Sequence, residues 1–150
     1  MDHEYFMSKA IELALENMRS NQGEPFGALI VKDGKIVGSW CSSISKENNP
    51  TAHAEMEAIR KACENLGNES LEGCVVYTNC EPCPMCLSAL HLAKVKEIYF
   101  ANTREDAAEI WFDDSKIYKA LSNAAHKKLI PSYELERSDA SKVFDERKKR

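Results

Sequence analysis

Two short segments, Pro50-Thr51-Ala52-His53-Ala54-Glu55 and Glu81-Pro82-Cys83-Pro84-Met85-Cys86, place one imidazole, two thiols and a carboxylate about 30 residues apart in a chain of 150 residues. They constrain the fold because their chemistry is complete only if the chain brings them together. His53, Cys83 and Cys86 make three protein ligands, the number that leaves a tetrahedral zinc one open position for water. Glu55, two residues from the histidine, can move protons for that water. Cys83 and Cys86 are three apart and share a face on a helix. A helix N-terminus at Cys83 also lowers a thiol pKa, which favours the thiolate that zinc needs. His53 falls in the first turn of a second helix. The spacing therefore predicts two helices aimed at one spot, with the pocket at the carboxyl edge of a sheet. Backbone N–H groups at the start of the Cys83 helix are candidate donors to developing negative charge.

Three competing readings use fewer of these residues. Cys80, Cys83, Cys86 and His53 would make a closed, purely structural zinc site, but Glu55 would then have no purpose. A Cys83/Cys86 redox pair ignores both His53 and Glu55. A zinc-stabilised binding module without catalysis gains nothing from Glu55. Cys41, Cys63 and Cys74 read as small buried or half-buried apolar residues. His3, His91 and His126 read as surface or supporting positions, and Asp113 as a capping or structural acid.

The surrounding pattern supplies the elements. Asp2 caps a predicted helix over about 2–20, with Phe6, Ala10, Leu13, Ala14 and Met18 at helical steps. Apolar runs at 26–31 and 36–41 flank Asp33-Gly34, a strong hairpin signal. Pro50 and Thr51 open a helix that runs to Gly67. Strands are predicted over 74–79, 95–101 and 130–135, and helices over 84–93 and from Asp114 or Ser115 to Leu121, with a helical tail. Strands alternating with helices after an opening hairpin imply a mixed sheet covered on both faces. There is no internal repeat or low-complexity linker, so residues 1–150 read as a single domain.

Composition narrows the partners. With 43% hydrophobic and 29% charged residues, the chain has material for one core. A net charge of −4 argues against a nucleic-acid binder, and the one dense basic run is the tail Arg147-Lys148-Lys149-Arg150. No apolar stretch is long enough to span a membrane. The N-terminus shows no secretory signal, so a cytoplasmic setting with metal-binding cysteine pairs is expected rather than a disulfide framework.

His-x-Glu followed by Pro-Cys-x-x-Cys is the signature of the zinc nucleobase deaminases. From Pro25-Phe26-Gly27-Ala28 to Phe112-Asp113-Asp114-Ser115 the chain resembles the cytidine-deaminase-like zinc superfamily. The last segment resembles its guanine deaminases rather than the tRNA adenosine deaminases or free cytidine deaminases. The resemblance implies a three-layer α/β/α fold with a mixed five-stranded sheet. It implies Zn2+ on His53, Cys83 and Cys86, with Glu55 catalytic and Asp114 a second acid that contacts the substrate. It further places Phe26, Ser42, Ala54 and Phe112 at a small nucleobase substrate. A homodimer, with a swapped C-terminal segment in some members, is implied as well. Guanosine or amino-triazine deamination by the same machinery stays open. At three positions the chain departs from these relatives. Ser42 stands where they carry an asparagine, Leu92 lies in a segment where they often carry an aromatic residue, and Trp111 stands where they often have a small one. These changes predict a pocket that is not a standard guanine pocket.

Overall fold

A computed structural model describes residues 2–122 and 129–150. His126 lies outside the described residues. Two compact units are present, Met1–Asp114 and Ser115–Arg150. The first contains α1 (His3–Arg19), β1 (Gly27–Lys32), β2 (Lys35–Cys41), α2 (Ile44–Glu47), α3 (Ala54–Leu66), β3 (Val75–Cys80), α4 (Pro84–Leu92), β4 (Glu97–Asn102) and α5 (Arg104–Ala108). The second contains α6 (Ser115–Ser122) and α7 (Arg137–Lys148) among its described residues.

The Asp2 side chain accepts the Tyr5 N–H and caps α1 as expected. Asp33 and Gly34 have φ of 50° and 77°, the pair of positive angles a two-residue type I′ hairpin requires, and join β1 to β2. The sheet runs in the order β2-β1-β3-β4. β1 is antiparallel to both β2 and β3, whereas β3 and β4 are parallel and connected through α4.

Alternation along the two central strands builds two cores. Leu29, Val31, Val75 and Tyr77 pack with Phe6 and Ala10 of α1 on one face. Ala28, Ile30 and Val76 pack with Ala54, Ala58, Ala62 and Leu90 of α3 and α4 on the other. The mixed, doubly covered α/β/α arrangement is therefore present. Gly38 permits a close approach of α3 to β2, since a Cβ there would lie 2.5 Å from the Ala58 carbonyl oxygen.

Two expectations about elements are corrected. Among the described residues the sheet has four strands, not five. Residues 130–135 form no strand: Ile130, Tyr133 and Leu135 are all exposed. An apolar–polar alternation makes a strand only where one face is buried, and Pro131 removes a ladder donor. The second long helix begins at Ala54 rather than at Pro50. The Asn49 side chain accepts the Thr51 N–H and hydroxyl, and this local turn competes with the helix over 50–52. Gly67, at φ 63°, ends α3 as the sequence predicts.

Candidate active site

The late start of α3 makes His53 its N-cap residue, and Cys83 is the N-cap of α4 with Pro84 in its first turn. Both helix starts meet at the carboxyl end of β3. The His53 Nδ1 atom lies 3.5 Å from the Cys83 Sγ and 3.6 Å from the Cys86 Sγ. Zinc bonds of about 2.0 Å to nitrogen and about 2.3 Å to sulfur, at a tetrahedral angle, separate such ligands by roughly 3.5 Å. The three side chains thus fit a zinc ion without rearrangement, and their ligand atoms all lie within 4.8 Å of one another.

Without a metal, one of the three ligand groups is already an anion, and zinc would displace the protons the other two hold. Cys83 is pulled down to about 4, first by the hydrogen bond from the Cys86 thiol and further by His53, against the effect of burial. The Cys86 thiol is raised, first because it donates to Cys83 and next because it is buried. His53 is raised, chiefly by its hydrogen bond to Cys83. The Cys86 backbone N–H also points at the Cys83 Sγ at 3.5 Å, so a donor expected to face developing charge already stabilises the thiolate. Cys80 ends β3 but stands apart from this group. Its thiol faces the Thr103 carbonyl at 3.8 Å, and burial raises it to about 11. A closed four-ligand site is therefore not assembled among the described residues.

Glu55 is buried, and its Oε1 accepts the Thr78 hydroxyl at 2.9 Å. Burial raises its carboxyl above the ordinary range, so it holds a proton more readily than an exposed glutamate. Thr78 was not identified as a supporting residue from sequence. Its signal is position, since β3 residues alternate and Thr78 faces the α3 side.

A cavity of about 310 Å³ opens onto these groups. Its walls include His53, Ala54, Glu55 and Cys83 with Phe26, Ser42, Phe112 and Asp114 from the flanking loops. Cys86 lies beneath, fully buried. Every candidate site residue is therefore brought to one place. The Phe26 and Phe112 rings meet edge to face, with centroids 5.0 Å apart. Ser42 follows β2 directly and is held by its backbone, its N–H donating to the Phe26 carbonyl and its carbonyl accepting the Asn17 amide. Asp114 is raised, first by burial and then by the negative charge of Cys83. Ile44 of the short α2, unforeseen from sequence, also contributes to the wall. Leu92 is 79% exposed at the end of α4 and does not line this cavity. Trp111 does line the cavity.

A mixed sheet carrying a His-Cys-Cys metal group at two helix starts defines a zinc-dependent deaminase. Residues 1–102 match the cytidine and deoxycytidylate deaminase zinc-binding region, and the chain belongs to that family. The chain is 48% identical to the guanine deaminase of Bacillus subtilis strain 168, over 90% of its own length and 86% of the relative's. The crystal structure of a Bacillus subtilis guanine deaminase superposes with a TM-score of 0.94 at 44% identity, covering 100% of this chain and 96% of that one. A tRNA-specific adenosine deaminase of Aquifex aeolicus is 41% identical over 67% of this chain and 66% of its own. A solved complex with 2,6-diaminopurine matches with a TM-score of 0.71 at 27% identity, covering 75% of this chain and 62% of that one.

Proposed function

We propose that this aminohydrolase deaminates guanine, or a close amino-purine, to xanthine or its analogue and ammonia. The observation that carries the reading is the Asp114 carboxylate in the same cavity wall as Glu55, His53 and Cys83. Guanine presents its N1–H and amino group as adjacent donors, and a carboxylate accepts from both. Adenine offers an acceptor at N1 and suits Asp114 less well. The similarity to guanine deaminases over nearly the whole chain supports the same substrate.

His53, Cys83 and Cys86 would hold the zinc ion, which would lower the pKa of a water toward neutrality. Glu55 takes one proton of the attacking water as the oxygen adds to the amino-bearing carbon. It delivers the proton to the neighbouring ring nitrogen. Glu55 then takes the remaining hydroxyl proton of the adduct and gives it to the amino group, which leaves as ammonia while the carbonyl forms. The Thr78 hydrogen bond fixes the carboxylate between these positions. Asp114 holds the ring and assists the second proton transfer. Phe26 and Phe112 flank the ring plane, Ala54 offers its backbone at the start of α3, and Ser42 contacts an edge. The chain is read as one deaminase domain acting as a homodimer in the cytoplasm. Exposed apolar side chains such as Leu87 and Leu92 on α4 and Phe144 on α7 support association, and six free cysteines support a reducing setting.

The test is ammonia release from the purified protein across purines, nucleosides, pyrimidines and triazines. Guanine or another amino-purine as best substrate supports the reading, and salt-sensitive tRNA binding with adenosine deamination overturns it. Asp114→Asn is expected to lower kcat/KM on guanine by roughly 10-fold or more with zinc content unchanged, because a neutral amide presents a donor to a donor of the base. Full retained activity would leave Asp114 a helix-capping residue alone. Ser42→Asn is expected to raise guanine turnover relative to other amino-heterocycles, since the longer amide offers a paired donor and acceptor. Identical substrate ratios in the two proteins would show that position 42 sets no preference.

A further inference from the structure

The turn that carries Phe112 and Asp114 into the cavity contains a residue that does not suit its conformation. Trp111 has φ +73°, in the left-handed region where a bulky side chain is strained. The turn is closed by hydrogen bonds from the Trp111 N–H to the Ala108 carbonyl and from the Phe112 N–H to the Ala107 carbonyl, at 3.1 and 3.0 Å. None of these bonds involves the indole, and a glycine would make the same turn without strain. Trp111 is 91% exposed, and it is also one of the residues that line the cavity. A residue that lines the cavity and is nearly fully exposed lies at its mouth, with its indole uncovered.

We propose that Trp111 is a substrate-binding residue that stacks on the outer part of a planar amino-heterocycle whose reacting edge lies at the His53-Cys83-Cys86 group. The inference rests on the amino-purine reading and specifies how that ring is held. Phe26 and Phe112 already meet edge to face in the wall, and Trp111, immediately before Phe112, adds a third aromatic residue. An exposed indole at the mouth gains contact and loses solvent when a flat ring occupies the cavity. The ligand class this favours is a fused or extended aromatic ring, because a small single ring held at the metal group reaches less of the mouth.

The chain has two tryptophans, which makes the test direct. Trp40 lies on β2, outside this wall, with the Lys61 ammonium over its ring. In a Trp40→Phe, Glu55→Gln protein, emission comes from Trp111 alone and turnover is suppressed. Titration with guanine or 2,6-diaminopurine should quench or blue-shift that emission saturably. In the otherwise intact enzyme, Trp111→Gly should raise KM about 10-fold, the scale of one base–aromatic stack, with a smaller change in kcat and unchanged zinc content. Trp111→Phe should recover most of the loss. An unchanged emission together with an unchanged KM in Trp111→Gly overturns the proposal. So does a change in oligomeric state in Trp111→Gly with KM unaltered, which would make the indole a contact between copies. The emission arm needs no turnover. A wild-type chain inert to every amino-purine would sink the functional reading, while the response of Trp111 would still decide this one.

Discussion

Glu55→Gln should lose roughly 10²-fold or more in kcat, the lower range for a lost general acid–base group, while keeping one zinc per chain and the wild-type fold. The amide keeps the size of the carboxyl and can still accept the Thr78 hydroxyl that Glu55 Oε1 accepts at 2.9 Å. It cannot take a proton from water and return it to the ring. Replacing a buried acid whose carboxyl is pushed up by burial also removes a desolvation cost, so stability should hold or rise. The sign of the linkage agrees. A raised carboxyl favours folding below its unfolded pKa, and that contribution fades as pH rises through the folded value, so the variant should be less sensitive to alkaline pH. Steady-state kinetics, metal analysis and thermal unfolding at several pH values check each part. Near-normal turnover would refute the proton-transfer role.

Cys86→Ala should abolish both zinc binding and activity. Two ligands remain at His53 and Cys83, too few for a stable tetrahedral site. The effect reaches beyond chemistry, because Cys86 is fully buried and its thiol hydrogen bond is the main cause holding Cys83 near 4. Without it the Cys83 thiolate is less favoured, and the remaining site binds cations still more weakly. Elemental analysis should find well under one zinc per chain. A strong chelator should take the wild type to the same inactive state, with activity returning on addition of Zn2+. Full activity in zinc-depleted protein would rule out a metal-dependent reaction. The free energy of metal binding is also folding free energy here, since the ligands come from two different helices. The metal-free protein should therefore unfold at a lower temperature.

The parts of the fold legible in sequence are those fixed by local chemistry. Asp2 as a cap, Asp33-Gly34 as a hairpin turn, Gly67 as a helix stop and Pro84 at a helix start each act through their own backbone. The convergence of His53, Glu55, Cys83 and Cys86 was legible because ligand chemistry demands it. What escaped depends on tertiary partners. Residues 130–135 alternate like a strand but have no buried face. Thr78 supports Glu55 only because strand register turns it toward α3. Ile44 enters the wall through a single helical turn too short to leave a periodic signal. Asn49 delays the start of α3 through a side-chain turn that a reading weighted toward Pro50 overlooks.

The packing of α3 on β2 sets a mechanical tolerance for the reaction. Ala54, Ala58 and Ala62 are wholly buried, and at Gly38 the helix and strand backbones leave no room for a methyl group. With so little side chain between them, the helix has no cushion to absorb a change. A bulkier residue at position 38 would act as a wedge, and the displacement would travel along α3 to its first turn, where His53 and Glu55 sit. Position 38 lies outside the cavity wall, yet a misfit there would register as misaligned proton transfer before it registered as a lost fold.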